Sequence, residues 1–83
     1  MIVTYDPETD AAYIYLDVPT PGSAARTLIC DEPEAAGAFH LDLDKSGRLI
    51  GIEILGAKRA LPASLLASAK LPGQTFATPE LVK

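Results

Sequence analysis

The chain carries one cysteine, Cys30, in 83 residues. That scarcity excludes an intramolecular disulfide and any zinc site built from several cysteines of one chain. It also carries one histidine, His40. A thiolate–imidazole pair would therefore have to be Cys30 with His40, and their spacing does not require them to meet; Cys30 reads instead as a small buried hydrophobe. No apolar run approaches the ~20 residues of a membrane-spanning helix. No basic segment followed by an apolar core opens the chain, so a cytoplasmic location is expected and no membrane contact. Basic residues are few: seven Lys and Arg against eleven Asp and Glu, for a net charge of −4, with Lys58-Arg59 the one adjacent pair. A nucleic-acid footprint is a basic patch or stripe, so no nucleic-acid partner is expected. There is no internal repeat, and no strand–helix–strand unit of parallel-sheet length.

What is present is an ordinary globular composition, 48% hydrophobic and 22% charged, in a length that predicts one small domain. A chain this short buries about 60–65% of its unfolded surface, so its core is thin. The most informative stretch is residues 39–54. Phe39, Leu41 and Leu43 alternate with His40, Asp42 and Asp44; after Lys45-Ser46-Gly47, Ile50, Ile52 and Ile54 alternate with Gly51 and Glu53. Apolar residues at every second position predict strands with one buried face, and the glycine-bearing break predicts a tight reversal at Asp44 to Gly47.

The same stretch, from Asp42 to Glu53, has the oxygen-ligand spacing of an EF-hand calcium loop. That chemistry needs flanking helices, whereas residues 48–55 alternate at period two. The expectation is therefore a hairpin and no metal, with Asp44 and Ser46 bonding turn backbone and Asp42 and Glu53 facing water.

In chain order, Ile2–Tyr5 prefers a strand, Asp6-Pro7-Glu8-Thr9-Asp10 a turn, and Ala11–Leu16 a second strand with Tyr13 and Tyr15 on one face and Ile14 on the core side. Residues 17–23 hold two prolines and form a loop. Ala24–Cys30 is extended again, and residues 31–37 are an acidic connection. After Leu55, Gly56 breaks the strand, residues 57–60 form a short turn, and Leu61–Lys70 reads as a helix with Pro62 at its first position. Such a short helix must pack on the sheet to persist. Gln74–Lys83 reads as a loose tail or a partner-dependent arm. The expected fold is α+β: an antiparallel β-meander of about five strands, two hairpins plus a linking strand, with a short C-terminal helix packed on the sheet. Residues 1–57 form the β core; 58–83 form the helix and tail of the same domain.

Three motifs occur in order: Thr4 to Ile14, Arg26-Thr27, and Leu41-Asp42-Leu43-Asp44 with Ser46 to Leu55. Together they resemble the family of small domains called domain of unknown function 2283, over residues 4–57, about two thirds of the chain. The resemblance implies a small β-rich module, common in prokaryotes, with no assigned catalytic residues.

Two classes of function compete. In the first, the chain is a non-catalytic interaction or dimerisation module, with Tyr13, Tyr15, Leu49 and Leu55 as its association surface, most simply in a two-fold homodimer. An antitoxin-like regulatory partner, an acidic chain neutralising a basic one, is a variant of it. In the second, Arg26, His40, Asp42 and Glu53 share a sheet face and form a ligand-binding or enzymatic site, with Arg26 paired to Asp42 or Glu53. The first is preferred; catalytic residues and cofactors are expected to be none.

Overall fold

The structure, a computed structural model, describes residues 2–18, 20 and 22–72. The expected tail at 74–83 lies outside the described residues. Five strands form one sheet: β1 (Ile2–Asp6), β2 (Ala11–Tyr15), β3 (Arg26–Cys30), β4 (Ala38–Leu43) and β5 (Leu49–Leu55), followed by helices α1 (Ala57–Ala60) and α2 (Ala63–Ala67). Every neighbouring pair is antiparallel. The α+β architecture read from the sequence holds.

Strand order is β1-β2-β5-β4-β3. The last strand occupies the centre: β3-β4-β5 is a meander, and the β1–β2 hairpin docks onto its free side through β2 and β5. The sequence of β5 suits that place. Leu-Ile-Gly-Ile-Glu-Ile-Leu is the most aliphatic strand, and it lacks the proline that would break a ladder on either side.

Register divides the sheet into two faces. On one, Tyr5, Ala12, Ile14, Phe39, Leu41, Ile52 and Ile54 are aligned across the strands. Ile54 is 1% exposed, and with Ala12 and Ala57 it forms the core, against which Tyr5, Phe39, Ala60, Leu61 and Leu66 pack. Both helices therefore cover this apolar face. The other face carries Thr4, Tyr13, Tyr15, Gly51, Glu53, His40, Asp42, Thr27 and Ile29.

The alternation breaks at one place. Asp42 pairs with Gly51, but Leu43 pairs with Leu49. Ile50 is therefore the extra residue of a β-bulge, and it lines a cleft with Tyr13 and Tyr15. The isoleucine row expected on the core side thus keeps Ile52 and Ile54 and loses Ile50, because the bulge turns it toward the tyrosines.

The β4–β5 turn lies where the sequence put it. Gly47 has φ +84°, and its N–H donates to the Asp44 carbonyl at 2.9 Å. The Asp44 carboxylate accepts the backbone N–H groups of Ser46 and Arg48, both at 2.9 Å. The Arg48 N–H foremost, with the Ser46 N–H and the Arg48 charge, holds the Asp44 carboxyl below the usual carboxylate range, against a smaller opposing effect of burial.

The first turn has a second role. Asp10 sits at φ +56°, a left-handed conformation that aspartate tolerates better than most residues. From there its carboxylate accepts the Tyr5 hydroxyl at 2.8 Å and the Lys58 N–H at 2.9 Å. Its carbonyl accepts the N–H groups of Gly56 and Ala57, both at 3.0 Å. One residue thus ties the β1–β2 turn to the start of α1, whose own N-cap, Gly56, has no side chain to do so.

The helical segment is shorter than expected. The short turn expected at 57–60 is α1, and the helix expected over Leu61–Lys70 is the single turn α2, with Pro62 as its N-cap rather than its first residue. The chain then leaves α2 to reach the outer edge of β1. The Lys70 N–H donates to the Val3 carbonyl at 2.9 Å, and the Tyr5 N–H to the Lys70 carbonyl at 2.7 Å. Those two sheet bonds to β1 draw the chain out of the helix. No helix of the described residues is long and apolar enough to cross a membrane.

Two outcomes follow. Asp10→Ala strains the backbone and strips the cap, and should lower unfolding free energy by roughly 2 kcal/mol in urea titration, whereas Asp10→Asn, which keeps the conformation and an acceptor oxygen, should lose about half of that or less. For Asp44, the lowered folded-state value means that its stabilisation is complete above the ordinary carboxylate range and fades as pH falls through the folded value. Asp44→Asn should therefore flatten the acid limb of a stability–pH profile and leave the neutral region's slope unchanged.

Candidate functional site

The polar face of the sheet is built around Gly51. This glycine sits mid-strand in β5, opposite Tyr15 on one side and Asp42 on the other. A side chain at position 51 would collide with the Tyr13 ring. With no side chain there, Tyr13 lies across β5, and its hydroxyl donates to Asp42 Oδ2 on β4. Asp42 Oδ1 accepts the Thr27 hydroxyl from β3 at 2.6 Å. One hydrogen-bonded line thus runs from β2 over β5 to β4 and β3. Tyr15 flanks it, with its ring 4.5 Å from that of Tyr13 between centroids and tilted by 46°.

Beside this line, His40 Nδ1 and Glu53 Oε1 lie 3.0 Å apart as directly opposed residues of β4 and β5. The face therefore holds three of the four ligand-site candidates, His40, Asp42 and Glu53. It does not hold Arg26. Arg26 pairs with Leu43, one step out of phase with Thr27 and Asp42, so alternation puts it on the opposite face. The expected Arg26 ion pair with Asp42 or Glu53 does not form; the ion pairs among the described residues are His40–Glu53 and Asp44–Arg48. Asp42 and Glu53, expected to face water, are half-buried and engaged with neighbours.

The expected association residues also separate. Tyr13 and Tyr15 are half-buried in the polar face, whereas Leu49 and Leu55 are exposed at the two ends of β5. Two members of the network, Thr27 and Tyr13, were not among the ligand-site candidates. Their signal in the sequence is the mid-strand glycine, since a residue without a side chain permits a close approach, but its occupant needs the register to be known.

Electrostatics reinforce the closure. Burial foremost, then its hydrogen bond to Asp42 and that carboxylate's charge, push the Tyr13 phenol well above its ordinary value; burial raises Tyr15. Tyr5 is raised chiefly by its bond to Asp10. The Asp42–Glu53 calcium spacing falls on the β4–β5 hairpin, and among the described residues no three of His, Cys, Asp or Glu converge as metal ligands do. A cleft of about 360 Å³ opens beside the tyrosines, bordered by Asp17, Asp44 and Ile50, on the side away from His40 and Glu53.

Compared with known proteins, residues 2–58, more than half of the chain, match the family model described as protein of unknown function (DUF2283). Neither the curated proteins nor the solved structures give a match.

The tyrosines provide a test of this geometry. A raised folded-state value means stability that is present below the ordinary phenol value near 10 and is lost as pH rises through the folded one. Phenolate absorbance of the native protein should therefore lag that of free tyrosine and appear together with alkaline unfolding. Gly51→Ala must displace the Tyr13 ring; it should cost about 1–3 kcal/mol by overpacking and return one phenol toward ordinary titration. An unchanged titration in that variant would contradict the crossing of Tyr13 over Gly51.

Proposed function

The chain belongs to the DUF2283 family, whose description assigns no activity, and from its own surfaces we propose that it is a non-catalytic protein–protein interaction module that assembles through its sheet. One observation carries this reading. The two edges of the sheet are treated differently: Lys70 bonds along the outer edge of β1, while no described residue pairs with the outer edge of β3, where Leu28 is 39% and Ile29 71% exposed. An unpaired strand edge with aliphatic side chains is a template for another strand.

The polar face supports the same reading by elimination. General acid–base work needs groups within reach of a substrate in a pocket. Here Asp42 is held by Tyr13 and Thr27, and His40 faces Glu53, on an open sheet surface. These bonds read as sheet ties. A ligand site remains the second reading because His40, Asp42 and Glu53 do share that face.

Sedimentation equilibrium at tens of micromolar checks the proposal. The expected mass is twice that of the chain or that of a stoichiometric heteromer. His40→Ala with Glu53→Ala should leave that mass unchanged. A monomer at every concentration, with no co-purifying partner, would end the interaction reading.

A further inference from the structure

Resting on that reading, we propose that the occupant of the open edge is a second copy of this chain, with β3 paired antiparallel to β3 about a two-fold axis at Ile29, so that two five-stranded sheets become one. The argument starts from the direction of the backbone groups. The Ala25 N–H donates to the Leu43 carbonyl on β4 at 2.8 Å. Leu43, whose carbonyl thus faces β3, is the register partner of Arg26, and Asp44 bonds across to Arg48, just before β5. Alternation therefore turns the N–H and C=O groups of Arg26, Leu28 and Cys30 to β4 and those of Thr27 and Ile29 to the free side. Sheet edges are ordinarily blunted by lysine, proline or a bulge. Between Arg26 and Cys30 there is none of these.

Register follows from which residues can meet. In a two-fold antiparallel pair, outward-facing residues must bond outward-facing residues. Three registers do this while keeping β3 paired, centred on Thr27, Leu28 or Ile29. The first sets Arg26 against Leu28 and Thr27 against its own copy, and no charge meets its opposite. Centred on Leu28, the pairing sets Arg26 against Cys30, Thr27 against Ile29 and Ala24 against Glu32, and no charge meets its opposite. Centred on Ile29, it sets Arg26 against Glu32, Leu28 against Cys30 and Ile29 against its own copy. Arg26 and Glu32 are both exposed, and neither has an ion pair among the described residues. Opposed charges directly across a sheet stabilise it, and because the axis repeats each pair, the dimer has two. The register centred on Ile29 also buries aliphatic surface on both sides: Ile29 with its copy on the polar face, and Leu28 with Cys30 on the helix-covered one. Charge and apolar complementarity thus select the same arrangement, and a self-complementary edge of this kind closes with two copies and leaves none open.

The chain's own residues 73–83 are the other possible occupant. The described chain leaves the sheet at Pro72, beside Asp6 and Pro7, next to β1 and at the edge opposite β3.

Cross-linking reads the register directly. With Cys30→Ala as background, Ile29→Cys places two thiols at the axis on directly opposed residues, about 5.5 Å apart between Cα atoms, which a disulfide can span. Leu28→Cys in the same background places them two positions out of step, beyond that reach. Mild oxidation should convert most of the Ile29→Cys protein to covalent dimer and little of the Leu28→Cys protein. Arg26→Glu alone and Glu32→Arg alone should each raise the dimer dissociation constant about tenfold, and the double exchange should restore it. In the unmodified protein, the amides of Thr27 and Ile29 should be protected from hydrogen exchange in proportion to dimer, a readout that does not depend on any variant folding.

The opposite results are equally specific. Preferred cross-linking of Leu28→Cys overturns this register. A stable dimer with no cross-link, and indifferent to the charge exchange, overturns β3 pairing but leaves an interaction module using another surface. A monomer with the Thr27 and Ile29 amides protected puts residues 73–83 on the edge and overturns the proposal. A monomer with those amides free and no partner removes both this pairing and the reading it rests on.

Discussion

The arrangement depends on the absence of a side chain at the middle of the central strand. Gly51 leaves a gap in β5 on the polar face, and the Tyr13 ring fills it. A tyrosine confined to its own strand would reach only its cross-strand neighbours. Lying over a glycine, it reaches one strand further and meets Asp42, which in turn holds Thr27. A glycine within a strand ordinarily weakens it. Here the ring covers the exposed backbone, and the hydroxyl turns the gap into a tie across four strands.

That tie matters because the apolar side is small. Among the described residues the buried hydrophobic core is Ala12, Ile54 and Ala57, only one of them a large side chain. A core of this size contributes little beyond the entropy of ordering the chain. Directional bonds make up part of the difference, and they sit at the turns and at the outer edge of β1. Asp10 holds the first hairpin to α1, Lys70 holds the chain beyond α2 to β1, and Asp44 closes the last hairpin. Each joins elements that are brought together late in the chain. The helices are single turns with no propensity to stand alone, so their position is set by these bonds and by Leu61 and Leu66 on the sheet.

Local features were legible in the sequence, and their assembly was less so. Period-two alternation located β2, β4 and β5, and glycine with aspartate located the turn at 44–47, because side-chain periodicity and turn chemistry are properties of a few adjacent residues. The central place of β5 was not legible, since pairing with β2 depends on which strands compete for the same edge. The phase of Arg26 against Asp42 needed that pairing too: one step of register moves a side chain to the other face. Ile50 was misread for a related reason, as a bulge has no period. Asp10 showed only as a turn residue. Its bonds to Tyr5 and Lys58 join positions from opposite ends of the β core, and spacing carries no trace of them. Thr27 and Tyr13 likewise became partners of Asp42 only through the sheet.

The edges bring these threads together. A five-stranded sheet has two, and its polar and apolar faces are already committed: one is tied by Tyr13, Asp42 and Thr27, the other covered by α1 and α2. Growth in the plane of the sheet disturbs neither commitment, because the bonding direction of a strand edge is perpendicular to both faces. At β1 that direction is used by Lys70. At β3 no described residue uses it, and the Thr27 hydroxyl bond to Asp42 fixes the strand from the inner side, so a new strand would meet an edge already ordered. An edge held rigid before association forfeits less entropy on pairing than a loose one. The network on the polar face is thereby linked to the surface most suited to assembly: loosening Tyr13 from Asp42 would reach β3 through Thr27, three strands away from Gly51's other neighbour, β2, without altering any residue at the edge itself.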